Sequence, residues 1–377
     1  MRIGIDARLY RSSIAGIGRY SQNLIKNLLE IDSDNQYILF MTPEDEEEFR
    51  NLKLEIRNSN FVTKIVDIPH YSLVEQTKFP KIIEQEKIDL MHFLNFNYPV
   101  SYKGKFIVTI HDLTLFFYPG RSKKSLIYKI GYKYIMGRAC KNAAEIIAVS
   151  EATKKDIMRV FKTPSKKIKV VYEAADDKIF TKPSPEVIDS LKKRYAIGDK
   201  PVVLYVGQWR PHKNLLGLIN AFNIVKEKTP VKLAIIGKVD PAYLEVISAI
   251  DKAVTLGDII MPGFVTEEEL SCWYKIASVF VFPSFYEGFG LPGLEAMMAG
   301  TPVISSDRTS LPEIYKDGAI YFNPFKIKDM ADKIKEVIID ERLRLELVEK
   351  ANMIVTQYSW RKTAQETLEI YKNSLKS

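Results

Sequence analysis

Residues 278–306, SVFVFPSFYEGFGLPGLEAMMAGTPVISS, leave little freedom in how they can fold. SVFVFPS is a short apolar run rich in Val and Phe, which reads as a buried strand. Glu287-Gly288-Phe289-Gly290 follows as a loop whose two glycines let the backbone approach a ligand closely. Leu291-Pro292 opens a helix, and Pro292 suits the first turn because its missing N–H would be unpaired there in any case. Gly300 and Pro302 stop that helix, and VISS is the next strand. The predicted unit is strand, glycine loop, helix, strand.

The loop-to-helix junction is where chemistry is expected. Free N–H groups and the positive dipole end of a helix favour an anion, phosphate above all. Glu287 and Glu295 lie on either side of that junction. A carboxylate repels phosphate but accepts hydrogen bonds from hydroxyls, as on a sugar and a ribose. Phosphate donors between two hydroxyl acceptors describe a nucleotide-sugar site. The alternative is a turn with capping glutamates, as in any α/β protein.

A chain of 377 residues is long enough for two domains, and 46% apolar with 27% charged residues is ordinary for a globular protein. No apolar run reaches the ~18 residues of a membrane span. Met1–Asp6 runs straight into a strand, so no leader segment is expected. Cys140 and Cys272 have no metal-ligand spacing and read as reduced core residues of a cytoplasmic protein. The net charge of +8 is uneven: residues 1–180 hold 29 basic and 22 acidic side chains. Residues 121–141, RSKKSLIYKIGYKYIMGRACK, carry seven basic residues and no acid. Such a helix can lie on an anionic membrane surface, or be a solvated face near an anionic substrate. Nucleic acid ranks last, because no motif for it accompanies the charge.

MRIGID reads as the first strand and SSIAGIGRYSQNLIKNLLEI as a glycine loop leading into an amphipathic helix, with Tyr20, Leu24 and Leu28 on one face. Gly16-Ile17-Gly18 lies too far from the strand and lacks the third glycine of a dinucleotide fingerprint. IDLMHFLNFNYPV places His92 at a strand end, and KFIVTIHDLT brings out His111-Asp112 at the next. In doubly wound sheets that end carries ligands. Asp176-Asp177 is an adjacent pair rather than a spaced metal motif, and no metal site is expected. The polar, Pro-containing stretch PSPEVIDSLKKRYAIGDKP marks a domain boundary. PVVLYVGQWRPHKN then starts a second α/β half, with Arg210 and Lys213 at a loop-to-helix junction suited to a diphosphate.

Glu287, seven residues, then Glu295, within EGFGLPGLEAMMAGTPVISS, resembles the E-x7-E signature of retaining GT-B glycosyltransferases of family 4, the glycogen-synthase-like group. GIGRY, HFLNFNYP, HDLT and the block around PHKN resemble the bacterial mannosyltransferases of that family. The resemblance implies two facing Rossmann-like, doubly wound domains. Residues 1–182 would form the acceptor-side domain and 183–357 the nucleotide-sugar domain, with a helix in 358–377 crossing back to the first. It implies transfer of a hexosyl group with retention and without a metal or other cofactor. Lys213, Arg210 and the N–H groups of Phe289, Gly290 and Leu291 would hold the diphosphate. Glu287 and Gly288 would meet the sugar, Glu295 the ribose, and the backbone of Gly263, Phe264 and Val265 the nucleobase. His111 would lie beside the reacting sugar, with Gly16, Gly18, Arg19, Asp112 and His92 as further cleft residues. Ser310, Leu311 and Glu313 would pack a turn against the donor pocket.

One departure from the family pattern is Gln208, which stands where an Arg usually follows the glycine, so Arg210 is left to supply that charge. The donor implied is GDP-mannose, with UDP-glucose, UDP-N-acetylglucosamine or a dTDP-sugar suited to the same scaffold. The acceptor implied is a glycan or a polyprenol-linked sugar in surface-polysaccharide synthesis, reached at the inner face of a membrane. Two alternatives stand beside this reading: a nucleotide-sugar 2-epimerase of the same fold, and a non-catalytic nucleotide-sugar-binding subunit.

Overall fold

The computed structural model describes residues 1–14, 16–53, 60–120, 126–176, 183–254 and 257–376. These form two compact units. The first comprises Met1–Phe117, Ser122–Ala174 and Tyr358–Ser377; the second comprises Tyr118–Arg121 and Ala175–Gln357. The break at Ala174 lies upstream of the 182/183 boundary read from composition, and residues 177–182, Asp177 among them, lie outside the described residues.

The first unit is built on a parallel sheet of seven strands: β1 (Arg2–Asp6), β2 (Gln36–Met41), β3 (Phe61–Ile65), β4 (Leu90–Phe93), β5 (Phe106–Ile110), β6 (Glu145–Ala148) and β7 (Ile168–Val170). Their order is β3-β2-β1-β4-β5-β6-β7, so the winding reverses between β1 and β4. Every residue of β4 and β5 is buried, as expected where helices cover both faces of a parallel sheet. The helix Gly16–Ile31 turns Tyr20, Leu24 and Leu28 into the core beside Ile3, Ile5 and Leu39. The helix Trp360–Lys376 packs on it, burying Trp360, Ala364 and Tyr371. Thr363 ties this helix further by donating to the Tyr172 carbonyl at 2.7 Å.

The second unit repeats the scheme with six parallel strands: β8 (Val202–Val206), β9 (Lys232–Ile236), β10 (Ile259–Gly263), β11 (Val279–Phe282), β12 (Val303–Ser306) and β13 (Ala319–Phe322). Their order is β10-β9-β8-β11-β12-β13, reversing between β8 and β11. Glycine backbones draw the ends of β8, β9 and β10 together. Gly207 N–H donates to the Ile236 carbonyl and Gly237 N–H to the Gly263 carbonyl, both at 2.9 Å. Gly237 has φ +142°, and a Cβ there would lie 2.1 Å from the Gly207 carbonyl oxygen, so only glycine fits.

Candidate functional site

In the second unit the reversal point carries the candidate chemistry. Open parallel sheets bind ligands outside the carboxyl ends of the strands where the winding reverses. Lys213 lies on the short turn Pro211–Lys213 after β8, and Glu287 lies in the loop after β11. Their side chains meet: Lys213 Nζ donates to Glu287 Oε1 at 2.7 Å and to Oε2 at 2.9 Å. Both are largely buried, at 18% and 11% exposure. The two loops are also joined through their backbones, Phe285 N–H donating to the His212 carbonyl at 2.7 Å. Asn214, at φ +53°, staples the site from below, its amide donating to the carbonyls of Pro283 and Pro324.

The glycine loop then delivers the helix Leu291–Met298. Gly290 has φ +108°, and a Cβ there would lie 2.4 Å from the Tyr315 hydroxyl oxygen. That hydroxyl donates to the Gly290 carbonyl. Gly288, Phe289 and Leu291 are buried beside it. Thr309, itself at φ +51°, accepts the Glu287 N–H at 3.0 Å, and Ser310 donates to the carbonyls of Glu287 and Phe289 at 3.1 Å each. Sequence reasoning treated Ser310 as structural and passed over Thr309; together they hold the loop that aims Glu287. Glu295 is 1% exposed, and the Tyr274 hydroxyl donates to its Oε2 at 2.8 Å. Tyr274 carries no signal in sequence, because its partner is 21 residues away on another element.

Arg210 does not join Lys213 and Glu287. Its guanidinium, half exposed, lies 3.6 Å from Asp240. It lines a cavity of about 430 Å³ with Trp209, Tyr243, Phe285 and Phe325, and Asn214 lines the same cavity. Gly263 ends β10 at φ +81°, and Phe264 presents a ring that is 86% exposed beside half-buried Val265.

In the first unit His111 emerges after β5 as expected, but both its ring nitrogens face acceptors. Nδ1 lies 3.0 Å from Glu173 Oε1 and Nε2 lies 2.9 Å from the Leu94 carbonyl. A ring that must donate at both positions is an imidazolium. Burial by itself lowers its pKa, and the hydrogen bond and charge of Glu173 outweigh that, so the net shift is upward. Asp112 accepts the Thr114 N–H at 2.6 Å and opens the short helix Thr114–Phe117.

His92 is a core residue and not a cleft residue. It lies within β4 at 0% exposure, with the Tyr371 hydroxyl 2.7 Å from Nδ1 and the Thr109 hydroxyl 2.8 Å from Nε2. Burial pulls its pKa down to about 3, so it stays neutral. Gly16 and Gly18 likewise belong to the first turn of the helix Gly16–Ile31 and not to a loop before it. Gly18 packs so closely on the Arg11 carbonyl that a Cβ would lie 2.1 Å from its oxygen. Arg19 is half buried on the same turn.

Among the described residues, Asp6, His70 and Glu75 bring ligand-type atoms within 4.8 Å of one another. Spacing in sequence could not reveal this group. Arg8 donates to Asp6 at 2.8 Å and to Glu75 at 2.7 Å, so the cluster is built around a guanidinium and not around a metal.

The profile of the family described as Glycosyl transferases group 1 matches residues 187–353, and that of Glycosyltransferase Family 4 matches residues 14–178. The chain is 26% identical to O-antigen chain mannosyltransferase B of Escherichia coli, over 99% of this chain and 100% of that protein. It is 31% identical to the serotype-specific mannosyltransferase WbdA of Escherichia coli over 62% of this chain, a match that covers 29% of the longer relative. The crystal structure of Anabaena Alr3699/HepE in complex with UDP and glucose superposes with a TM-score of 0.75 at 16% identity, covering 99% of this chain and 100% of that one.

Proposed function

Because the chain belongs to the GT-B family 4 glycosyltransferases, we propose that it moves mannose from GDP-mannose to a glycan or lipid-linked acceptor in surface-polysaccharide synthesis, with retained stereochemistry. The mannosyltransferase names of its relatives support the sugar. The observation that carries the reading is the Lys213–Glu287 pair beside the glycine-flanked start of the helix Leu291–Met298. A cation and the positive end of a helix suit a departing diphosphate, and a carboxylate suits sugar hydroxyls.

In the reaction, the bond between the sugar C1 and the diphosphate oxygen breaks. The acceptor oxygen bonds to C1 on the same face, and its proton passes to an oxygen of the departing phosphate. Lys213 and the N–H groups of residues 289–291 take up the charge that develops on that phosphate, which is the main contribution asked of the protein. Lys213 is then shared between phosphate and Glu287, and Glu287 turns its remaining acceptor capacity to the sugar hydroxyls. Glu295, fixed by Tyr274, takes the ribose hydroxyls. The imidazolium of His111, both of whose N–H groups are taken by Glu173 and the Leu94 carbonyl, contributes positive charge and not a hydrogen bond to a sugar or acceptor hydroxyl. The scheme needs no metal, since Lys213 and the helix end provide the positive charge, and we place the reaction at the cytoplasmic face of a membrane.

A thermal-shift panel of GDP-, UDP- and dTDP-sugars, each with and without EDTA, tests this. A ligand at ~100 times its dissociation constant stabilises by about 2.7 kcal/mol. GDP-mannose is expected to raise Tm selectively, with EDTA making no difference. Lys213→Ala is expected to lose the shift and to slow transfer by roughly 10²-fold or more. A selective shift with a UDP-sugar replaces the donor, and loss of the shift in EDTA overturns metal independence. No shift with any nucleotide overturns the transferase reading.

A further inference from the structure

Tyr118 has an unusual place in the chain. The helix Thr114–Phe117 just before it belongs to the first unit, yet Tyr118 itself belongs to the second. Its half-buried side chain lies there among other rings. It stacks on Phe285, with centroids 6.3 Å and planes 10° apart, and lies 6.1 Å from the Tyr286 ring and 6.4 Å from the His212 imidazole. Centroid separations of about 4.5–7 Å are attractive for such pairs.

These partners flank the two residues at the centre of the candidate site. His212 precedes Lys213, and Phe285-Tyr286 precedes Glu287. The Phe285 N–H donates to the His212 carbonyl at 2.7 Å, so Tyr118 touches the residues at both ends of the hydrogen bond that joins the two loops.

The stacking continues past Phe285. Its ring lies against Phe325 at 4.7 Å and 17°, and the Arg308 guanidinium is 5.4 Å from the centre of the Phe325 ring. Arg308 is followed by Thr309, which accepts the Glu287 N–H, and by Ser310, which donates to the Glu287 carbonyl. A row of Tyr118, Phe285, Phe325 and Arg308 thus links the loops after β11, β13 and β12, and reaches the loop after β8 through His212. Loops are the most mobile part of such a sheet, while a catalytic group displaced by about 1 Å can cost on the order of 10²-fold in rate.

We propose that Tyr118 is a positioning residue for glycosyl transfer: its ring clasps the loops after β8 and β11 and so holds Lys213 and Glu287 at their working separation, without touching substrate. Engagement by Phe285, Tyr286 and His212 suits a clasp better than a platform left open for a ligand. The choice of reaction rests on the glycosyl-transfer reading. The clasp itself stands on geometry within the second unit.

Residue-resolved hydrogen exchange on the full chain tests it, in the wild type, Tyr118→Phe and Tyr118→Ala. Steady-state transfer from GDP-, UDP- and dTDP-sugars to α-linked mannobiose is measured on the same proteins. Tyr118→Ala is expected to speed exchange of the Phe285 and Glu287 amides about tenfold or more while β8 and β11 keep their protection. It is also expected to lower kcat by about tenfold, with a far smaller change in the donor KM. Tyr118→Phe keeps the stack and should match the wild type in both. Unchanged exchange at the two amides overturns the clasp. Faster exchange throughout the second sheet also overturns it, since that is what a merely structural ring would give. Tyr118→Phe as slow in transfer as Tyr118→Ala overturns it too, since the hydroxyl would then be acting on substrate. A wild type that transfers from none of these donors would count against the transferase reading, and the exchange result alone would still decide the clasp.

Discussion

His111 has an acceptor on each ring nitrogen, and this fixes how the first unit should respond to pH. Its pKa is raised in the fold above the ordinary 6.5 because the Glu173 carboxylate outweighs the effect of burial. A group whose folded pKa lies above its unfolded value stabilises fully below the unfolded pKa, and that contribution fades as pH rises through the folded value. Glu173→Gln keeps the acceptor and removes the charge. It should therefore lower stability at mildly acid pH by roughly 1.5–3 kcal/mol, the range of a charge-assisted hydrogen bond, and change it little at alkaline pH. Urea unfolding of both proteins across that range checks it, and parallel curves would show that the ring is not protonated. The residue scale is also where sequence was least legible. Lys213 and Glu287 could each be picked out from loop chemistry, but their mutual ion pair could not. His92 was misplaced because the pattern IDLMHF reads equally as a strand end or a strand interior. What decides is the Tyr371 hydroxyl, supplied from 279 positions away. Glu173 escaped notice for the same reason, since its partner lies on a different strand end.

Elements were far more legible, because hydrophobic period, helix stops and glycine loops are local signals. The segment 278–306 folds as read: β11, a glycine loop, the helix Leu291–Met298 and β12. The error at Gly16 and Gly18 was one of register, a glycine-rich helix start taken for a loop. The basic segment is a helix from Leu126 to Asn142, with residues 121–125, including Lys123 and Lys124, outside the described residues. Tyr132, Met136, Ala139 and Cys140 are buried. Ile130 and Tyr134 are more than half exposed one turn apart, and Lys129 and Lys133 are exposed beside them. Apolar tips flanked by lysines suit an anionic bilayer surface. Lys129→Glu with Lys133→Glu should weaken sedimentation with phosphatidylserine vesicles by about 1 kcal/mol for each lysine lost, and should do so less at high salt. Unchanged sedimentation would return this helix to an ordinary solvated face.

For the whole molecule, the arrangement that matters is that the first unit is discontinuous in sequence. Its core holds Tyr20, Leu24 and Leu28 from the helix Gly16–Ile31 together with Trp360, Ala364 and Tyr371 from the other end of the chain. Among the described residues, no helix is long and apolar enough to cross a membrane. A chain stopped at Gln357 should lose hydrogen-exchange protection along the helix Gly16–Ile31, and Tyr371→Ala alone should cost on the order of 3–5 kcal/mol, since it opens a cavity and strips His92 of a partner. Full protection in the shortened chain would mean that the last helix only decorates the surface. The same discontinuity has a consequence for synthesis. Most of the first unit is synthesised before the helix Trp360–Lys376 that completes it, and the main run of the second unit emerges in between. Until then the nascent chain carries an open apolar groove. Synthesis halted before Trp360 would thus leave that groove bare, a mark that chaperones and proteases can read.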